Sequence, residues 1–176
     1  LIMPDKDTVT LEQLVGKFRN TKLKSKPGTR FAYNNYGYSL LAYIIEKVTG
    51  MDYLTYLNRE IFPIAGMSGT FSQLNLPPTA AKGYTGLGTG NFRPCMSHGH
   101  PSWGIGAAGL YSSPEDIYRF LEAVFTDKLF SEKTLKLMLD TCVPIQRANI
   151  MWALGWERYE VSGKVFYSHG GSIEGF

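Results

Sequence analysis

The chain has 176 residues, 44% of them apolar and 19% charged, with a net charge of +3. That balance is typical of one globular domain, and no apolar run approaches the ~20 residues of a membrane-spanning helix. The positive charge is spread out apart from Lys22, Lys24, Lys26 and Arg30, too small a cluster for a nucleic-acid-binding face.

Taken in chain order, Leu11, Leu14, Val15 and Phe18 recur at helical spacing and predict a short helix. A polar, basic tract follows and ends in the turn signal Pro27-Gly28. Leu40, Leu41, Ile44, Ile45 and Val48 then predict the most regular helix of the chain, with Gly50 placed for a left-handed cap. Another helical pattern runs through Tyr53, Leu54, Leu57 and Ile61 and is expected to stop at Pro63. From Leu74 to Gly109, Gly and Pro are frequent and periodicity is absent, which predicts long loops with short strands at most.

Regular structure is expected again at Ser113-Pro114-Glu115-Asp116, where a Ser cap, a first-turn Pro and two acids open a helix. Its predicted buried stripe is Ile117, Phe120, Leu121, Val124 and Phe125. A further helix is expected from Ser131 through Leu139. Trp152, Leu154 and Trp156, then Val161, Val165 and Tyr167, predict two strands joined at Ser162-Gly163-Lys164. The expected organisation is α+β and predominantly helical, with a helical unit over residues 1–150 and strands over 151–176. Two strands do not make a stable sheet alone, so the parent protein is expected to continue beyond the chain.

Three segments carry candidate chemistry: 27–35, 107–113 and 169–172. Tyr33 and Asn35 stand two apart in a stretch expected to be extended, so both side chains can point the same way. A phenol ionises near pH 10 and needs nearby cations to serve as a base near neutrality. A carboxamide can both donate to and accept from a substrate amide. On residue type alone a core ring and a helix cap explain this pair equally well. Gly170 and Gly171 at a strand end let a ligand approach the backbone and leave N–H groups free for an oxyanion. His169 beside them can move a proton near pH 7. A plain turn is the competing explanation.

Together the phrases Pro-Gly-Thr-x-Phe-x-Tyr-x-Asn (27–35), Ala-Lys-Gly-Tyr (81–84), Ala-Gly-Leu-Tyr-Ser-Ser-Pro-Glu-Asp (108–116), Leu-Gly-Trp (154–156) and His-Gly-Gly-Ser-Ile-x-Gly-Phe (169–176) resemble the class C β-lactamase-related serine hydrolases. That family includes D-alanyl-D-alanine carboxypeptidases and esterases. The resemblance implies a β-lactamase/transpeptidase-like fold, present here as a helical subdomain plus the first strands of the α/β subdomain. It implies that Tyr33 is the general base and Asn35 a substrate anchor. His169 takes the first position of the substrate-binding strand, Gly170 and Gly171 the next two, and the N–H of Ser172 is an oxyanion donor. It further implies no cofactor, a small-molecule or peptidoglycan-peptide substrate, and an extracytoplasmic location in a bacterium. Oligomeric state is not legible.

The family's nucleophile motif, Ser-x-x-Lys, occurs nowhere in the chain. Thr21-Lys22-Leu23-Lys24 comes nearest, in a polar tract without a helical stripe. The chain is therefore expected to be a middle fragment, inactive by itself, whose missing N- and C-terminal segments complete the site. A member of the same fold that binds ligands or scaffolds without catalysis is the alternative. His169 in place of lysine favours an esterase or peptidase over a lactamase. Cys95, His98 and His100 do not have structural-zinc spacing. Gly86 to Gly90 lacks the strand and lysine of a phosphate loop. Cys95 and Cys142 read as idle thiols, and Trp103 as core, with a cleft wall as its other reading.

Overall fold

The computed structural model describes residues 7–86, 88–95, 99–145, 150–173 and 175–176. Helices α1 (Leu11–Phe18), α2 (Asn35–Thr49), α3 (Tyr53–Tyr56) and α4 (Phe62–Ala65) come first. The middle of the chain holds two-residue strands β1 (Phe71–Ser72), β2 (Tyr84–Thr85), β3 (Arg93–Pro94) and β4 (Leu110–Tyr111), with a 3-10 turn at Pro101–Gly104. Helices α5 (Pro114–Phe125) and α6 (Glu132–Asp140) lead into strands β5 (Val143–Pro144), β6 (Ile150–Trp152), β7 (Glu157–Val161) and β8 (Lys164–Ser168). Strands β1 and β4 pair, β2 and β3 pair, and β5-β6-β7-β8 form a four-stranded sheet, antiparallel throughout.

The core forms where α1 crosses α2. A capping box starts α1: Thr10 Oγ1 accepts from the Gln13 N–H at 3.1 Å, and Gln13 Oε1 accepts from the Thr10 N–H at 2.9 Å. Leu11 and Leu14 then close on Val9, Ala42 and Trp103. Trp103 is core rather than a cleft wall, and its indole N–H donates to the Asp7 carbonyl at 3.0 Å. Ser39, buried on α2, donates to the Ile105 carbonyl at 2.9 Å. Next to it Gly106 has φ +83°, and a Cβ there would lie 2.7 Å from Ala42 Cβ and 2.8 Å from the Tyr38 carbonyl. Only glycine lets this loop lie flush on α2.

Several expectations are corrected. The apolar residues of α2 do not form its buried face: Leu41, Ile44 and Val48 are exposed, and the small residues Ser39 and Ala42 are buried instead. The predicted α5 stripe holds at Val124, which is buried, and at Phe120 and Leu121, which are half-buried, but Ile117 and Phe125 face outward and Asp116 and Ala123 are buried instead. Small residues admit the close approach of α1 and the 105–106 loop, so contact distance rather than hydropathy sets the inward face. Pro63 does not end the helical run. A π-turn at Leu57–Ile61, closed by the Phe62 N–H donating to the Leu57 carbonyl, shifts the register and carries the proline inside α4. The expected strand over 152–156 ends at Trp152. Leu154 and Gly155 make a tight bend there, with Gly155 at φ +87° and the Ala153 N–H donating to the Trp156 carbonyl at 2.7 Å. Cys95 and Cys142 are free thiols.

Asp116 fastens α5 to the loop that follows α4. Its carboxylate, 2% exposed, accepts from the Gly69 N–H at 2.7 Å, the Thr70 hydroxyl at 2.8 Å and the Ser68 N–H at 3.3 Å. Burial pushes this carboxyl up, but the hydrogen bonds from Thr70, Gly69 and Ser68 and the nearby Arg119 guanidinium outweigh it and hold the group below its ordinary range.

Replacing Asp116 with Ala leaves three donors without their acceptor and should lower unfolding stability by roughly 3 kcal/mol in a urea titration. Because the folded carboxyl is the more acidic one, its contribution is complete above the unfolded value near pH 4 and is lost as pH falls through the folded value. Denaturation midpoints measured from pH 6 to pH 2 should therefore fall less steeply in Asp116→Asn than in the parent. Gly106→Ala, which forces a Cβ into α2, should cost about 2 kcal/mol or more by the same measurement.

Candidate active site

Four rings meet where the entry to α2 touches the end of the sheet. Residues 31–34 run into α2 without regular structure, and Asn34 caps the helix, its side-chain oxygen accepting from the Tyr36 N–H at 2.9 Å. Alternation along this segment sends Phe31 and Tyr33 the same way. Both reach Trp152 at the end of β6, with ring centroids 5.4 Å apart for Phe31 and 5.3 Å for Tyr33, the latter edge to face.

The sheet register supplies the fourth ring. Glu157 pairs with Trp152 on one side and Ser168 on the other. Trp152 and Ser168 are therefore level across two strand spacings, ~10 Å, and His169 follows Ser168 directly. Its imidazole lies 5.4 Å from the Trp152 ring, edge to face, and 6.3 Å from the Tyr33 ring, centroid to centroid. A phenol and an imidazole 136 positions apart in the sequence thus share one aromatic surface.

Each group is open to a ligand. Tyr33 is 52% exposed, and among the described residues its hydroxyl makes no hydrogen bond. His169 Nδ1 stands 2.6 Å from the Gly170 carbonyl oxygen. A carbonyl only accepts, so Nδ1 carries the proton of this contact, and Nε2 makes no hydrogen bond among the described residues. Gly170 and Gly171 have no heavy atom within 4 Å of the position a Cβ would take, so the strand end is uncovered. Ser172 is exposed beside them.

Asn35 departs from the expected geometry. It is the first residue of α2 rather than part of the extended segment, because Asn34 takes the cap. Its half-buried side chain makes no hydrogen bond among the described residues. The tail beyond the glycines folds back on the rest of the chain. A Cβ on Gly175 would lie 2.6 Å from Gly83 Cα, and Phe176 meets Tyr111 edge to face at 5.3 Å.

Trp152 and Phe31 are the members of this cluster that residue-level reasoning missed. For Phe31 the signal was its two-residue spacing from Tyr33. For Trp152 there was none, because a tryptophan in a predicted strand reads as packing. Among the described residues no three His, Cys, Asp or Glu side chains converge as a metal site would require. His98 lies outside the described residues, as does Leu87 of the Gly86–Gly90 segment.

The Beta-lactamase family model matches residues 2–176. A D-aminopeptidase of Brucella anthropi is 30% identical over 157 residues, which cover 85% of this chain and 28% of that protein. A D-stereospecific amidohydrolase from Streptomyces sp. has a TM-score of 0.81 at 25% identity, covering 97% of this chain and 52% of that one. The octameric penicillin-binding protein homologue from Pyrococcus abyssi has a TM-score of 0.80 at 27% identity, over 97% and 40% of the two chains. The chain spans about a third of the length of the curated relatives it matches (33%, 29% and 28%). With a continuous family match and a shared fold over nearly all its residues, this chain belongs to the Beta-lactamase family and carries part of a β-lactamase/transpeptidase-like fold.

Proposed function

We propose that this chain is the proton-transfer and substrate-strand portion of a serine hydrolase that works through an acyl-enzyme. The observation that carries the reading is the convergence of Tyr33 and His169 on Trp152. The motif residues come from opposite ends of the chain, and a fold assembled for packing alone has no reason to bring a phenol and an imidazole to one open surface. The relatives named D-aminopeptidase and D-stereospecific amidohydrolase favour an amide or ester bearing a D-configured residue. A peptidoglycan peptide in an extracytoplasmic compartment fits that class.

In this scheme a serine supplied by a Ser-x-x-Lys segment outside these 176 residues attacks the substrate carbonyl. Tyr33, as phenolate, takes the serine proton and delivers it to the leaving amine or alcohol as the C–N or C–O bond breaks. Asn35 anchors the substrate amide. The N–H of Ser172, beyond Gly170 and Gly171, donates to the carbonyl oxygen as it gains charge. Water, deprotonated by the same phenolate, then releases the acyl group and restores the serine. His169 holds the substrate from the strand side with a titratable donor where a lysine would be a permanent cation, which weakens selection for a substrate carboxylate.

The absence of Ser-x-x-Lys favours a second reading, a ligand-binding or scaffolding member of the family. A full-length parent treated with a fluorophosphonate or fluorescent penicillin should label covalently. A folded full-length protein that takes neither label, and whose upstream segment has lost the serine, is the scaffold instead. The 176-residue chain should not hydrolyse D-amino-acid amides or esters above background. In the full-length protein, Tyr33→Phe should lower kcat/KM by roughly 100- to 10,000-fold.

Trp152→Ala removes the surface on which both rings rest and should lower kcat/KM about tenfold or more through ring misplacement. Trp152→Phe should recover most of that loss. Equal activity in Trp152→Ala and the parent would show that the indole does not position Tyr33 and His169 for catalysis.

A further inference from the structure

Residues 19–30 leave the end of α1 and return to the segment that enters α2, and rings pin both ends of this loop. Phe18 lies 5.4 Å from Tyr36, and Phe31 lies 5.4 Å from Trp152, centroid to centroid. Two hydrogen-bonded turns shape the chain near those anchors. The Thr21 N–H donates to the Phe18 carbonyl at 2.9 Å, and the Thr29 N–H donates to the Lys26 carbonyl at 3.2 Å. The loop borders the candidate site, but none of the four clustered rings belongs to it.

Its charge is one-sided. Arg19, Lys22, Lys24, Lys26 and Arg30 are all exposed, and among the described residues none of these side chains makes an ion pair. No Asp or Glu occurs between Glu12 and Glu46, although the whole chain has 15 acids against 18 Lys and Arg. Without these five cations the count is 13 against 15, so the net positive charge of the protein resides in this loop. Like charges this close in sequence repel one another, and an ordinary solvated face intersperses acids to relieve that repulsion.

Leu23 identifies the kind of partner. It is 77% exposed and stands between Lys22 and Lys24. A hydrated polyanion would neutralise the cations and leave this side chain in water. A bilayer surface satisfies both, because lipid phosphates attract the cations and the acyl boundary beneath them takes up an aliphatic group. Clusters of roughly four to eight Lys or Arg are the size that anionic lipids recognise. A loop with no helix of its own reaches only the interface, so the contact is peripheral.

We propose that the 19–30 loop docks on an anionic phospholipid surface, with its five cations at the headgroup phosphates and Leu23 at the acyl boundary. The docking is separate from the acyl-transfer scheme and stands whether or not a serine completes that scheme.

The test is co-sedimentation of the 176-residue chain with vesicles of equimolar phosphatidylcholine and phosphatidylglycerol, alongside pure phosphatidylcholine. Binding should require phosphatidylglycerol and weaken at least tenfold between about 0.1 M and about 1 M salt, as the screening length shrinks from ~10 Å to ~3 Å. The joint variant Lys22→Gln, Lys24→Gln, Lys26→Gln should lose roughly 100-fold in affinity, and Leu23→Ser severalfold. Lys133→Gln, Lys136→Gln and Lys164→Gln together remove the same charge elsewhere on the surface and should leave binding unchanged. All seven positions are exposed, and an unchanged circular dichroism spectrum and unfolding midpoint certify each variant's fold. Equal binding to both kinds of vesicle overturns the proposal, as does an equal loss in the two triple variants. An unaltered affinity in Leu23→Ser also overturns it, and the loop is then a site for soluble polyanions, which equal binding of dextran sulfate to the parent and this variant would show.

Discussion

The arrangement turns on one contact, the edge-to-face packing of Trp152 against Tyr33 and His169. Trp152 belongs to the sheet, Tyr33 to the segment entering α2, and His169 to the strand end two positions across the sheet. Indole is large enough to touch all of them, and edge-to-face geometry sets the rings at steep angles without filling the space above them. The helical body and the sheet also meet elsewhere, at Phe125 and Trp156 and where the Leu154 N–H donates to the Met138 carbonyl at 3.0 Å. Those contacts join the two parts. The Trp152 contact aligns them where chemistry is proposed.

Behind that surface the body is held by a few close approaches rather than by a broad apolar interior. Gly106 against Ala42, Ser39 bonded to the Ile105 carbonyl and Asp116 gathering the 68–70 loop are each short-range and directional. The apolar residues that such a body would normally bury, including Leu41, Ile44 and Val48 on α2 and Val161 and Phe166 on the sheet, lie at the surface. Exposed apolar area on that scale belongs to a fold present in part. It agrees with a chain that spans 52% of the Streptomyces amidohydrolase while matching it over 97% of its own length.

Much of the local structure was legible in advance. Ser113 and Ser131 cap their helices through a side-chain oxygen as expected, because capping is decided within three residues, whereas the caps at Thr10 and Asn34 were not anticipated. The left-handed Gly50 and the Ser162-Gly163 hairpin likewise follow from local backbone preference. Tyr33, Asn35 and His169 were identified through motif resemblance, and the structure brings two of the three into a shared ring cluster. The buried stripe of α5 was right at Val124 and wrong at Ile117 and Phe125, because apolar periodicity marks what a helix can bury in the complete protein rather than what it buries here. Trp152 was invisible, because a ring contact across the sheet leaves no trace in neighbouring residues.

By itself the amino-acid sequence determined the family, the starts of α5 and α6, the turn chemistry and the absence of a Ser-x-x-Lys motif, all of which depend on residue identity over a few positions. Tertiary structure alone decided that a phenol at position 33 and an imidazole at position 169 face one surface. It also decided that Asp116 is a buried anchor rather than a solvated first-turn acid. The physical reason is that β-sheet register and helix crossing are set by the summed packing of distant segments. A contact between residues more than a hundred positions apart is fixed only when that packing is complete.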